Sequence, residues 1–252
     1  MCMSEGKLDK IEGRNPVMEA LKSGRELDKI LVAKGAREGS IGKIIALAKS
    51  RGMVVQEVDR KKLDALAETA AHQGVMAYAA AANYVSVDDI LARARQAGEQ
   101  PFLVIADEVS DPHNLGALLR TANAAGAHGL VIPKRRSAGL GAIAAKTSAG
   151  AVEFTPVAKV ANLVQTIERL KKENIWVIGA DMDGDKTLYQ QDFGGAVAIV
   201  VGSEGSGISR LVKESCDFLV RIPMAGEITS LNASVAGALM MYEVARARQQ
   251  IG

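Results

Sequence analysis

Apolar and polar positions alternate in blocks along the whole chain, and the spacing within each block predicts its secondary structure. The first third reads as helix 11–24, strand 29–33, helix 42–52, strand 53–58, helix 61–70 and a last strand after His72. Residues 83–100 predict a short helix that Ser86 caps and that ends near Gly98. From Pro101 onward, five nearly continuous apolar runs alternate with helical segments, which is typical of strands buried on both faces of a parallel sheet. We therefore predict an α/β protein with a small α/β domain over 1–82, a linker over 83–100 and a parallel-sheet domain over 101–252.

The charge of the chain is close to balanced and unevenly distributed. The formal net charge is +2, which argues against a histone-like nucleic-acid binder but leaves RNA open, because local patches matter more than totals. Residues 1–80 contain 14 basic and 11 acidic side chains, whereas residues 101–252 contain 15 of each. The mild positive excess therefore predicts that the N-terminal part captures any RNA.

Neither a targeting segment nor a metal site is predicted. The chain has no run of about 18 apolar residues and its start lacks the apolar run of a signal peptide, so we expect a cytoplasmic protein. Cys2 and Cys216 are too few for a disulfide scaffold or a thiolate zinc cluster, and we expect inert thiols. His72, His113 and His128 share no metal-ligand spacing, so no metal is expected.

The first motif lies in a strand–loop–helix–strand unit over 106–133. Asn114 is the expected N-cap of its helix, and Gly116 and Arg120 share a face that lies off the apolar stripe. Open α/β sheets bind ligands at the carboxyl ends of their strands, and Arg120 is expected to project towards that edge. The alternative is an ordinary solvated helix arginine.

The second and third motifs each follow an apolar strand. Residues 196–209 run into a glycine-rich turn with Glu204 at its centre, and glycines allow a ligand to approach the backbone closely. This turn fits neither the dinucleotide fingerprint nor the P-loop, so a dehydrogenase is disfavoured. Residues 221–248 predict a polar loop and then a helix from about Asn232, with Ser230, Asn232 and Ser234 clustered at its start.

In this order the three motifs resemble those of the SpoU/TrmH family of the SPOUT superfamily, which are RNA 2'-O-ribose methyltransferases. The motifs are N-x-G-x-x-x-R at 114–120, G-S-E-G-S-G at 202–207, and I-P-M-A-G with S-L-N-A-S-V-A within 222–236. Because it also contains the sequence D-P-H-N-L-G-A at 111–117, the chain looks most like the bacterial enzymes that methylate a guanosine ribose of 23S rRNA. The N-terminal part is similar to the ribosomal-protein-like RNA-binding domain of that family.

The resemblance implies a C-terminal SPOUT domain with a deep trefoil knot, S-adenosylmethionine as methyl donor, no metal, and a homodimer. The cofactor contacts that it implies are Gly202, Ile222, Ser230 and Leu231. The catalytic residues that it implies are Asn114, Arg120, Glu204, Ser230 and Asn232. Arg120 is the general base by that resemblance, although a guanidinium stays protonated in proteins, so it could equally orient a phosphate and stabilise the alkoxide. A transfer-RNA ribose methyltransferase and a non-catalytic RNA-binding protein are the alternatives.

Six residues are predicted to contact RNA, namely Arg14, His72, Gln73, Lys134, Arg135 and Arg136. His72 and Gln73 could instead only close a turn, and residues 134–136 could be a solvated loop. Asp181, Asp183 and Asp185 mimic the start of a calcium loop, but Lys186 stands where that loop needs glycine, so we predict a solvated acidic loop. Residues 240–242 are predicted to pack in the core or at the dimer interface.

Overall fold

The computed structural model describes residues 10–37, 39–69 and 71–248, which form two compact units. The first unit contains the described residues up to 83 together with 139–143, and the second contains 84–138 and 144–248. Cys2 lies outside the described residues. Within the described ranges, no helix combines the length and the apolar character that crossing a membrane requires.

The first unit is a four-stranded mixed sheet with three helices. Its elements are β1 (Lys10–Glu12), α1 (Arg14–Lys22), β2 (Leu27–Ala33), α2 (Gly39–Ser50), β3 (Val55–Val58), α3 (Arg60–Leu66) and β4 (Val75–Ala79). The strand order is β1-β4-β2-β3, in which only the β2–β3 pair is parallel. Because α1 and α2 bury apolar residues such as Leu21 and Ile44 with β2 and β4, the main core of the unit lies between these helices and the sheet.

Strand β1 is an element that the periodicity missed. Residues 11–24 were predicted as one helix, but Lys10–Glu12 pair antiparallel with β4 and the helix begins only at Arg14. Gly13 separates the two elements because its φ of 95° is incompatible with a helix, and its N–H donates to the Val75 carbonyl at 3.1 Å.

The second unit is a seven-stranded parallel sheet with helices. Its helices are α4 (Val87–Ala97), α5 (Pro112–Ala124), α6 (Ala142–Thr147), α7 (Leu163–Lys172), α8 (Arg210–Ser215) and α9 (Ala233–Ala247). Helix α6 begins in the segment 139–143, which clusters with the first unit. Its strands are β5 (Phe102–Ala106), β6 (Gly129–Pro133), β7 (Val157–Val160), β8 (Trp176–Ala180), β9 (Lys186–Thr187), β10 (Val197–Val201) and β11 (Phe218–Arg221). The order is β7-β6-β5-β10-β8-β11-β9, and every pair is parallel. The predicted α/β class with a parallel sheet is confirmed.

Helix α4 occupies the segment that the sequence predicts as a linker. Ser86 caps it through a reciprocal capping box with Asp89, and Gly98 ends it in the left-handed conformation, both as predicted for this helix. Its apolar face is not exposed, because Ile90 and Leu91 are buried in the core of the second unit. The helix therefore stabilises the parallel sheet rather than only joining two segments.

The order of the central strands determines where loops can meet. Strand β10 lies between β5 and β8, and none of these three strands directly follows another along the chain. Because all these strands are parallel, the loops after Ala106, Ala180, Val201 and Arg221 leave the sheet at the same edge. The trefoil knot implied by the resemblance stays a prediction, since strand order alone does not establish threading.

Candidate functional site

Helix α5 begins before the position that the sequence predicts, and this changes the role of Asn114. Asp111 is the N-cap and accepts from the His113 N–H at 2.9 Å, and Pro112 occupies the first turn. The prediction that Asn114 caps the helix is therefore wrong. Because the cap is already provided, the Asn114 side chain is free to bind other parts of the chain, and Asn114 is only 7 % exposed.

Asn114, Glu204 and Asn232 form one hydrogen-bonded cluster, one residue from each of the three motifs. The Asn114 Nδ2 donates to Glu204 Oε1 at 2.9 Å, and the Asn232 Nδ2 donates to Asn114 Oδ1 at 3.0 Å. The Asn232 Nδ2 also donates to Glu204 Oε1. Residues that lie 90 and 118 positions apart in sequence are thus joined directly.

Asn232 is held rigidly because it also caps helix α9, which starts where the sequence predicts. Its Oδ1 accepts from the Ser234 N–H at 2.9 Å, from the Ser234 hydroxyl at 2.6 Å and from the Val235 N–H at 3.4 Å. These bonds fix which end of the amide faces the helix. The Nδ2 group consequently points towards Asn114 and Glu204.

The glycine-rich turn is closed tightly on itself. Ser203 and Gly207 exchange two backbone hydrogen bonds of 3.0 Å, and Gly207 has a φ of 65°. A Cβ added at Gly202 would lie 2.0 Å from the Gly207 carbonyl carbon and 2.2 Å from the Ile208 nitrogen. Only glycine fits at position 202, because the returning chain fills the space that any side chain needs.

A cavity of about 730 Å³ lies beside this turn. Residues 180–183, 201–208, Arg210, Lys213, Ile222, Met224, 229–231, Ala233 and Ala236 line it. All four predicted cofactor contacts are among them, and so is Glu204 of the hydrogen-bonded cluster. The volume lies within the range of small-molecule sites, roughly 300–1,000 Å³. The lining combines apolar side chains with exposed backbone and a few polar groups, the mixture that an adenosine-containing ligand requires.

Lys213, Asp181 and Asp183 contribute a charged cluster to the same cavity. The Lys213 Nζ lies 2.7 Å from Asp181 Oδ1 and 2.6 Å from Asp183 Oδ2. The hydrogen bonds that Lys213 donates to Asp181 and Asp183 raise the pKa of Lys213, and the bond from Lys213 lowers the pKa of Asp183. The predicted solvated acidic loop describes Asp183, which stays largely exposed, but not Asp181, which is largely covered, and both carboxylates hold a lysine on the cavity wall.

Asp107 is a further residue of this region that the sequence analysis missed. It follows strand β5 directly, is 3 % exposed, and its Oδ2 accepts from the Ser209 N–H at 2.7 Å. This bond anchors the chain just after the glycine-rich turn. A carboxylate at the carboxyl end of a buried parallel strand was the available signal.

Cys216 and the possible metal ligands of the second unit differ from the hydrogen-bonded cluster in their burial and spacing. Burial raises the pKa of the Cys216 thiol to about 12, so it stays protonated at neutral pH. Among the described residues, no group of three His, Cys, Asp or Glu side chains is placed to hold a metal ion.

Arg120 stands apart from the hydrogen-bonded cluster. It lies six residues after Asn114 on α5, a rise of about 9 Å along the helix, and its side chain is exposed. No hydrogen bond or ion pair joins it to another described residue. Ser230 is likewise exposed and lines the cavity. The structure thus brings together three of the five predicted catalytic residues and leaves Arg120 free to meet a ligand.

Two of the three predicted RNA contacts of the first unit, His72 and Gln73, lie in one turn, and Arg14 of helix α1 bonds to that turn. The His72 ring is buried, with its Nε2 2.8 Å from Asp64 Oδ1 and its Nδ1 accepting from the Gly74 N–H at 3.1 Å. The ring therefore closes the turn, which is one of the two alternatives for His72, and its contact with RNA stays a prediction. Gln73 has a φ of 51° and is exposed, and its backbone carbonyl accepts from the exposed Arg14 guanidinium at 3.2 Å.

The three residues of the basic triplet 134–136 differ in their exposure and in their pairing. Arg136 pairs with Glu108 at 2.6 Å, and both residues have positive φ values of 56° and 55°. Arg135 is exposed, whereas Lys134 is half-buried. Arg135 is therefore the member of the triplet best placed to contact a phosphate, and all three contacts stay predictions.

Two family models match the chain over separate segments. Residues 101–242 match the SpoU rRNA methylase family, and residues 10–85 match the substrate-binding domain of RNA 2'-O ribose methyltransferases. The chain is 50% identical over 244 residues to the putative TrmH family tRNA/rRNA methyltransferase YacO of Bacillus subtilis (strain 168), covering 97% of this chain and 98% of the relative.

Solved structures agree with these matches. The rRNA methyltransferase of Sinorhizobium meliloti superposes with a TM-score of 0.59 at 25% identity, covering 97% of this chain and 89% of that chain. An AdoMet-bound rRNA methyltransferase of Sinorhizobium meliloti also superposes, with a TM-score of 0.59 at 24% identity, covering 96% of this chain and 87% of that chain. The TrmH/SpoU tRNA modifying enzyme of A. aeolicus gives a TM-score of 0.54 at 27% identity, covering 65% of this chain and 84% of that chain. With its three motifs, its parallel sheet and these matches, the chain belongs to the SpoU rRNA methylase family.

Proposed function

We propose that this protein transfers a methyl group from S-adenosylmethionine to the ribose 2'-hydroxyl of a guanosine in 23S rRNA. The observation that carries the proposal is the Asn114–Glu204–Asn232 cluster, which joins the three motifs on a cavity of cofactor size. S-adenosylmethionine supplies an activated methyl group on a positively charged sulfur. The protein's task is then alignment and charge stabilisation.

The cavity suits this cofactor on its own chemistry. Gly202 lines the cavity where the glycine-rich turn packs closely on itself, and Ile222 and Leu231 contribute apolar surface for an adenine ring together with backbone groups for its polar edge. Three acidic and two basic side chains line the cavity, an excess of one negative charge that complements the positive charge of the cofactor. The AdoMet-bound rRNA methyltransferase of S. meliloti shares the overall fold of this chain, which supports the same cofactor here.

The catalytic residues divide into those that hold the site and those that meet the RNA. Asn114 and Asn232 orient the Glu204 carboxylate, which keeps the glycine-rich turn in place beside the cavity. Ser230, exposed on the cavity lining, places the ribose hydroxyl, and Asn232 holds the loop that carries it. Arg120 has no partner among the described residues, so its guanidinium is available to bind the target phosphate and to stabilise the alkoxide that forms as the hydroxyl proton passes to water.

Ribosomal RNA is favoured over transfer RNA by the extent of the similarity. The S. meliloti rRNA enzyme covers 97% of this chain, including the first unit, whereas the A. aeolicus tRNA enzyme covers 65%. The first unit matches a substrate-binding domain and carries the basic excess of the chain. We assign RNA capture to this unit, with Arg14 and Gln73 at its exposed turn.

We also propose a homodimer, which helix α9 supports. Val235, Ala238, Leu239 and Tyr242 recur at the spacing of a single helix face, and Val235 and Tyr242 are 47% and 45% exposed. The opposite face buries Met240 and Met241 in the core. An apolar stripe of this kind on a second copy of the chain would cover it. Light scattering after size-exclusion chromatography measures the mass directly.

Mapping ribose methylation in total RNA from cells with and without the protein tests the substrate. We expect one 23S guanosine to lose its 2'-O-methyl group and to regain it on complementation with wild-type protein. Complementation with Arg120→Ala is the matched control and should leave the position unmethylated. Loss of a tRNA methylation instead would establish the transfer-RNA alternative, and no change at any ribose would refute the enzymatic function.

A further inference from the structure

Lys213 is fixed between two aspartates on the wall of the cavity. Its Nζ contacts Asp181 Oδ1 at 2.7 Å and Asp183 Oδ2 at 2.6 Å, and all three residues line the cavity. The side chains of Lys213 and Asp181 are 26% and 14% exposed, whereas that of Asp183 is 80% exposed. A positive and a negative charge are therefore held in fixed positions next to the space for the cofactor.

Three elements of the second unit hold this cluster. Asp181 directly follows strand β8 and Lys213 lies on helix α8, which follows strand β10, the neighbour of β8 in the sheet. The Asp183 N–H donates to Asp181 Oδ1 at 3.0 Å, which fixes the turn that carries both carboxylates. The cluster is thus built by the sheet topology and not by chance approach of long side chains.

The cluster retains unused hydrogen-bonding capacity. An ammonium group has three donors, and two of those of Lys213 are occupied by Asp181 and Asp183. Within the described part of the chain, Asp181 Oδ2 and Asp183 Oδ1 accept no hydrogen bond. One N–H donor and two carboxylate oxygens therefore remain for a ligand.

We propose that this cluster binds the amino-acid end of the methyl donor, with Lys213 donating to the α-carboxylate and Asp183 accepting from the α-ammonium group. The inference rests on the proposed function, in which this cavity holds S-adenosylmethionine. An α-amino acid is a zwitterion, and a lysine beside an aspartate presents the complementary pair of charges. The backbone of the glycine-rich turn, together with Ile222 and Leu231, then contacts the adenosine.

Arg210, the other basic residue of the cavity lining, is less suited to this role. Its guanidinium pairs with Glu214 one helical turn away at 2.8 Å, and its side chain is 77% exposed. Lys213, by contrast, is two-thirds or more covered and is held in place by two partners. A fixed charge loses less conformational entropy on binding than an exposed, mobile one.

Two ligands that differ only in the amino-acid group test the proposal in a calorimeter without RNA. S-Adenosylhomocysteine carries the amino acid on a neutral sulfur, and 5'-methylthioadenosine has the same nucleoside and a neutral sulfur but lacks the amino acid. For Lys213→Met we expect S-adenosylhomocysteine to bind about 10- to 100-fold more weakly, the loss of one charged hydrogen bond. Binding of 5'-methylthioadenosine should stay within about twofold of wild type, since no contact to it is removed.

Asp183→Asn is a second variant that does not depend on how the protein tolerates loss of Lys213. Asp183 is largely exposed, so we expect this variant to fold normally, as judged by its melting temperature, and to lose affinity for S-adenosylhomocysteine only. Lys172→Met, an exposed lysine of helix α7 away from the cavity lining, is the matched control and should bind both ligands like wild type.

The outcomes are distinct. If Lys213→Met and Asp183→Asn each weakened the binding of both ligands equally, the cluster would either contact the ribose or only stabilise the fold. That result would overturn the proposal. Unchanged binding of both ligands would overturn it as well. Because the assay contains no RNA, its result does not depend on which RNA is methylated, and a wild-type protein that binds both ligands but methylates no RNA would count against the proposed function alone.

Discussion

Replacing Asn114 with Asp isolates the bond that joins the first motif to the glycine-rich turn. The Asn114 Nδ2 donates to Glu204 Oε1 at 2.9 Å, and in the variant a second carboxylate oxygen would occupy the donor's place. The bond that Asn114 Oδ1 accepts from Asn232 at 3.0 Å is retained, because an aspartate oxygen accepts equally well. The substitution therefore removes one donor and adds one like charge without changing the shape of the side chain.

The expected loss of stability is the sum of two overlapping effects. A hydrogen bond to a charged group contributes about 1.5–3 kcal/mol. Two like charges about 4 Å apart repel by about 1 kcal/mol in water and about 4 kcal/mol near a protein surface. Since Glu204 is exposed and water screens it, we take about 2–4 kcal/mol for both effects together. At about 2–4 °C per kcal/mol for a chain of this size, the melting temperature should fall by about 5–15 °C.

The loss should depend on pH with a definite sign. The paired carboxyl groups of the folded Asn114→Asp variant share a proton, so the pKa of one of them lies above its value in the unfolded chain. The folded state then binds more protons than the unfolded state, and the free energy of unfolding falls as the pH rises through that raised pKa. The difference in melting temperature from wild type should be larger at pH 8 than at pH 5.

The double variant Asn114→Asp with Glu204→Gln provides the control. It exchanges donor and acceptor, so that the amide introduced at position 204 can donate to the carboxylate introduced at position 114, and the like charges disappear. We expect calorimetric melting at pH 8 to show the double variant closer to wild type than Asn114→Asp alone. A single variant that melts at the wild-type temperature, or a double variant no more stable than the single one, would refute the view that this contact stabilises the site.

Three further predictions concern residues outside this contact. Arg120→Ala should keep the wild-type melting temperature and lose methylation of substrate RNA, because Arg120 is exposed and bonded to no other described residue. His72→Ala should lower the stability measured by urea unfolding by about 1–3 kcal/mol, since it leaves the buried Gly74 N–H without an acceptor. Arg14→Ala should weaken RNA binding and reduce the slope of log affinity against log salt by about 0.7–0.9, the contribution of one phosphate contact.

Each of these three has its own control. Arg95→Ala removes an exposed arginine from helix α4 and should leave methylation intact, so near-wild-type activity in Arg120→Ala as well would make Arg120 an ordinary surface residue. Unchanged stability of His72→Ala would mean that the turn closes without the ring. For Arg14, the variant Lys49→Ala removes a charge from the end of helix α2, and equal salt slopes for the two variants would argue against a specific contact at Arg14.

The alternation of apolar and polar residues was sufficient to predict most of the fold. Helix α4 has both a capping box and a C-terminal glycine, and the strands β5 and β10 are apolar along their whole length because both faces are buried. Strand β7, with the sequence VAKV, is only four residues long and contains a lysine, so it has no such signal. Strand β1 was assigned to the following helix because three residues are too few to show a period of two.

The site was harder to predict, because its contacts are long-range. The motifs identified Asn114, Glu204 and Asn232, but that they bind each other follows only from the position of β10 between β5 and β8. Lys213 lies 32 and 30 residues from its partners, and neither it nor Asp181 belongs to a recognisable motif. The charge pattern of a loop cannot show which cation will face it after folding.

Asn232 shows how one side chain connects the fold to the site. Its oxygen is used three times at the start of helix α9, and its nitrogen donates to the other two members of the cluster. Ser or Thr could cap the helix but has no amide to bridge Asn114 and Glu204, and Asp could cap it but would present a carboxylate to Glu204. Only a residue with an acceptor and a two-proton donor on one short side chain satisfies both requirements. The same bonds that begin the last helix therefore also hold the glycine-rich turn in position, so a change in either element is transmitted to the cavity.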